Sequence, residues 1–75
     1  MDELLTILEE IRPDIDFEKE KNLIDDGILE SFDIISIVAD VNMNFDIEIA
    51  VEDLLPENFN SVEAMYQLIT KLQEE

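Results

Sequence analysis

The sequence predicts an all-α fold, a bundle of four helices with a short third helix and a long first loop, forming a single domain over residues 1–75. Three observations predict it. Apolar residues recur at helical spacing in three separate segments. Helix-stopping and turn residues, Pro13, Gly27 and Pro56, fall between those segments. Neither repeats nor low-complexity stretches interrupt the pattern.

In the first segment Leu4, Leu5, Ile7, Leu8 and Ile11 share a helical face, and Asp2 and Glu3 sit where acids favour the helix dipole. Pro13 disfavours helical geometry in the residue before it, so this helix stops near Ile11 or Arg12. Residues 13–30 are irregular but carry Phe17, Leu23, Ile24, Ile28 and Leu29, which predicts a long loop packed on the domain. Gly27, the only glycine, is expected to turn Asp25-Asp26-Gly27 with a positive φ.

The second helix is predicted from about Ser31 to Asn44, with Ser31 as its N-cap. Ile34, Ile37, Val38, Val41 and Phe45 fall on one face; a strand over 34–41 is the competing assignment, and segment length together with the face pattern favours the helix. Asp46-Ile47-Glu48-Ile49 alternates as an extended connector would. Val51 to Leu55 is expected to form the short helix, stopped by Pro56. Asn60 or Ser61 caps the last helix, Asn60 with Glu63 in a capping-box-like pair, and Val62, Met65, Tyr66, Ile69 and Leu72 form its buried face.

Twenty-one acids oppose Arg12, Lys19, Lys21 and Lys71, a formal net charge of −17. Such a surface repels phosphate backbones and anionic membranes, which argues against nucleic-acid partners, and it attracts basic protein patches. With 47% hydrophobic residues in periodic array, a folded domain is expected rather than a disordered acidic chain. No apolar run is long enough for membrane insertion and no signal peptide is visible. The absence of cysteine fits a reducing, cytoplasmic setting. A monomer is expected.

Lacking His and Cys, the chain cannot build a Ser-His-Asp or Cys-His site, and it has no glycine-rich phosphate loop. Asp14, Asp16, Asp25 and Asp26 lack EF-hand spacing, so no dedicated metal site is expected. The expectation is a non-enzyme with no catalytic residues. Ser31 stands out because free N–H groups and the helix dipole at a helix start suit a phosphate ester. Opposite the core face, Phe32, Ile35, Ala39 and Met43 align at i, i+3, i+7 and i+11, flanked by Asp33 and Asp40. This stripe is read either as further bundle packing or as a docking surface, apolar at its centre and acidic at its rim.

Asp26-Gly27-Ile28-Leu29-Glu30-Ser31-Phe32-Asp33 resembles the attachment motif of the acyl carrier protein family, in which an acid, a serine and a large apolar residue open the second helix. Phe45-Asp46-Ile47-Glu48-Ile49 is similar to the family's end of that helix and following extended stretch, and Asn60-Ser61-Val62 to the start of its last helix. The closest subgroup in appearance is the D-alanyl carrier proteins, through Leu29-Glu30-Ser31-Phe32, Asn42 and Asn44. Glu30 stands where aspartate is more common, and Ser36, Asn42 and Met43 where fatty-acid carriers usually have glutamates. The resemblance implies 4′-phosphopantetheine, taken from coenzyme A, on Ser31, and docking through the start of the helix, Glu30 included. It also implies three kinds of partner: a phosphopantetheinyl transferase, an adenylating or acyl-loading enzyme and an acyl-accepting enzyme. Alternatives are a carrier of a fatty-acid, polyketide or other specialised pathway, an acidic adaptor without a prosthetic group, and a hydrolase using paired acids.

Overall fold

A computed structural model describes residues 2–74, and it contains four α-helices and no strand among those residues. α1 spans Asp2–Ile11, α2 Ser31–Phe45, α3 Pro56–Phe59 and α4 Val62–Glu74. α1 ends at Ile11, two residues before Pro13. It packs on both α2 and α4.

The core is continuous. Leu4 and Leu8 from α1, Ile37 and Val41 from α2, Phe59 from α3, and Val62, Met65, Leu68 and Ile69 from α4 meet at its centre. Burial of side chains of this size, each worth about 1.5–3 kcal/mol, is what holds so short a chain together. The long loop contributes Phe17, Leu23 and Leu29, all buried, and so packs on the domain as its apolar anchors predict. Gly27 turns it at φ +70°. In α4, Leu68 is buried although the expected buried face omits it, and Tyr66, which that face includes, is exposed.

Two expected helix ends are rearranged, and at the last helix one of the two expected caps is used without the Asn60–Glu63 pairing. Ser31 is the first helical residue of α2, and Glu30, with extended backbone, is its N-cap. The Glu30 N–H donates to Asp33 Oδ2 at 3.1 Å, so the acid three residues on satisfies the cap backbone and Ser31 is released from that duty. In place of one helix stopped by Pro56, a 3₁₀ turn covers Val51–Asp53 and Pro56 begins α3. Proline's fixed φ and missing N–H suit the first helical position, where that N–H has no partner in any case. Before α4, Ser61 is the cap, its Oγ accepting the Ala64 N–H at 3.1 Å. Asn60 turns away from Glu63: its Oδ1 accepts the N–H groups of Ile24 and Asp25 at 2.9 and 3.0 Å, and Glu63 instead pairs with Lys21 at 2.6 Å.

α2 ends at Asp46, which takes left-handed backbone at φ 54° and donates its N–H to the Asn42 carbonyl. The Asn42 side chain accepts the Ile49 N–H at 3.1 Å, so one residue fixes both the helix end and the extended connector that buries Ile49.

Candidate functional site

The site is the first turn of α2 with the loop that enters it. Leu23 anchors this loop: it is fully buried, its N–H donates to the Asn60 carbonyl, and its own carbonyl accepts the N–H groups of both Ile28 and Leu29 at 2.9 Å. Leu29 is buried in the core. The chain thus leaves the core at Leu29, presents Glu30, Ser31 and Phe32 to solvent, and returns at Asp33. The Ser31 hydroxyl lies on the surface between an exposed acid and a phenylalanine that is 77% exposed.

Asp33 does not lie at the rim of a docking stripe. It is 8% exposed and belongs, with Ile37 and Val41, to the buried face of α2. The three stand at i, i+4 and i+8, one above another on the helix. Its charge is met by Arg12, whose Nη1 lies 2.6 Å from Asp33 Oδ2. Arg12 also holds Asp14 through Nε and Nη2 at 3.0 and 2.9 Å, and these hydrogen bonds keep the Asp14 carboxyl below its ordinary value. The same two acids raise the Arg12 pKa further, Asp14 the more strongly.

The other stripe residues do face outward: Ile35 is 67% and Met43 80% exposed, Ala39 is exposed and Asp40 half-buried. On the adjoining side of α2, Ile34 lines a cleft of about 100 Å³ with Ile24, Leu54, Leu55, Pro56 and Phe59. Ile34 is three residues from Ser31, so this apolar cleft and the serine share one flank of the helix. No cluster of three or more potential metal ligands occurs among the described residues.

Of the residues that sequence reasoning singled out, the fold brings Ser31, Glu30, Phe32, Ile35, Ala39 and Asp40 to one exposed helix face or its edge, and it places Asp33 on the buried face. It missed Arg12 and Asn60, which fasten the entering loop. The available signal for Arg12 was its being the only arginine in so acidic a chain. Comparison with protein-family profiles, with curated proteins and with solved structures finds no match to this chain.

Proposed function

We propose that this protein is a carrier of the acyl carrier type, holding an acyl or aminoacyl group as a thioester on 4′-phosphopantetheine attached to Ser31. The observation that carries the proposal is the solvent-exposed Ser31 at the first helical position of α2, inside the Leu29-Glu30-Ser31-Phe32 sequence of an acidic four-helix protein. A serine held outside the core, with no His or Cys in the chain to make it a nucleophile of its own, suits modification by another enzyme better than catalysis.

In the attachment reaction Ser31 Oγ attacks the phosphorus that bears pantetheine in coenzyme A. The new Oγ–P bond replaces the pyrophosphate P–O bond, adenosine 3′,5′-bisphosphate leaves, and the hydroxyl proton passes to a base of the transferase. The ester phosphate would sit at a helix start, where the dipole and the N–H groups of the first turn favour an anion. The pantetheine thiol carries the cargo, and tethering raises its effective concentration at each partner's active site. Phe32, Ile35, Ala39 and Met43 offer those partners an apolar surface beside the attachment point, and the net charge of −17 steers basic surfaces toward it. The likeness to D-alanyl carriers makes D-alanine, loaded by an adenylating enzyme, the first cargo to test.

Incubation with coenzyme A, magnesium and a broad-specificity phosphopantetheinyl transferase should add one phosphopantetheine group by intact mass. The Ser31→Ala variant should gain none. A parent that stays unmodified would favour the acidic-adaptor alternative and remove the carrier reading.

A further inference from the structure

Arg12 lies nineteen positions before Ser31 in the chain yet ends up bonded to the first turn of the helix that Ser31 opens. Its guanidinium spans three pieces of chain. Nε and Nη2 hold Asp14 just after α1, Nη1 holds Asp33 inside α2, and Nη1 also approaches the Ile28 carbonyl at 3.5 Å. Asp33 Oδ2, the oxygen that Arg12 holds, accepts the Glu30 N–H as well. A single carboxylate oxygen therefore couples the end of α1 to the backbone immediately before Ser31. Asp33 is nearly enclosed, and the Arg12 guanidinium, 2.6 Å from its Oδ2, is the cation paired with it. A lysine would supply the charge but not the planar fork that engages two carboxylates at once.

We propose that Arg12, acting through Asp33, is a positioning residue for group transfer onto Ser31: it fixes the Glu30 backbone and the first turn of α2 so that the Ser31 hydroxyl meets the incoming phosphorus in one orientation. This rests on the carrier reading. Ile35, Ala39 and Met43 lie beyond the first turn and stay in place when the link is lost, so docking through them persists while alignment of the reacting oxygen suffers. Alignment errors of about 1 Å can lower a rate by about 100-fold. A uniform binding defect would instead raise KM with kcat unchanged.

The test is steady-state transfer of phosphopantetheine from coenzyme A to the full chain. The acceptors are the parent, Arg12→Met, Arg12→Lys, Asp33→Asn, the Arg12→Met/Asp33→Asn double variant, and Lys21→Met as a control that breaks the Lys21–Glu63 tie to α4. Each is assayed below its own melting transition. The expected result is a fall in kcat of about tenfold or more for Arg12→Met and Asp33→Asn at similar carrier KM, partial recovery in Arg12→Lys, and a double variant no slower than the slower single, as coupled residues behave. Lys21→Met should keep the parent kcat. If the parent is modified while both single variants keep its kcat, change only KM, or lose no more kcat than Lys21→Met does, the positioning role is overturned and the carrier reading stands. If the parent accepts no phosphopantetheine, both fall.

Discussion

At Gly27 the backbone holds φ at +70°, and beyond its two chain neighbours no atom lies within 4 Å of where a Cβ would be. A side chain there meets open space, so only the left-handed conformation opposes it. Gly27→Ala is expected to destabilise by about 1 kcal/mol, read from denaturant unfolding. Two acids make the opposite kind of contribution. Hydrogen bonds from Arg12 and Lys21 hold the Asp14 and Glu63 carboxyls below their ordinary values. Groups whose folded pKa is depressed add stability that is complete above the ordinary carboxylate range and lost as pH falls through the lower folded values. Asp14→Asn and Glu63→Gln should therefore lose less melting temperature than the parent between about pH 5 and pH 2. Gly27 was legible in the sequence because glycine after two aspartates has one common use. Asp33 was not: adjacency to Phe32 suggested the outer stripe, whereas its i, i+4, i+8 relation to Ile37 and Val41 determines its burial, and an acid on that face makes sense only once Arg12, twenty-one positions away, is seen beside it.

α2 carries two faces, and their separation is the structural condition for a docking helix. Ile37 is buried in the core and Ile35 projects into solvent. Ile37→Ala should cost about 2–5 kcal/mol and Ile35→Ala less than about 1 kcal/mol, by parallel denaturant titrations. Comparable losses at both positions would contradict the two-faced helix. At its far end, Asp46 occupies a left-handed cap that glycine adopts without strain, so Asp46→Gly should raise stability by about 0.5–1 kcal/mol. The long helices were readable because a face repeated over three or four turns leaves little choice of register. The short elements were not. Pro56 is compatible both with ending one helix and with starting the next, and only the packing of Phe59 into the core decides for α3. Asn60 has cap chemistry in either direction, and the N–H groups of Ile24 and Asp25, thirty-five or more residues earlier in the chain, claim its side chain while Leu23 takes its carbonyl.

Across the whole molecule, a net charge of −17 on 75 residues works against compactness, since Lys21–Glu63 and the Arg12 pairs engage only a few of the twenty-one acids. Added salt, and magnesium at lower concentration than sodium, should raise the melting temperature by screening that repulsion. A melting temperature independent of both would mean that the acids are compensated locally. If α2 is the docking face proposed above, the same field would steer a basic partner toward it, and association should slow as ionic strength rises. All of this matters to function only if Ser31 is the point of attachment. The most direct measurement is fragment mass spectrometry of the transferase-treated protein, which distinguishes Ser31 from the chain's other two serines, Ser36 and Ser61. One phosphopantetheine on Ser31, and none in Ser31→Ala, is the predicted result; an unmodified parent, or a group carried on Ser36 or Ser61, would contradict it.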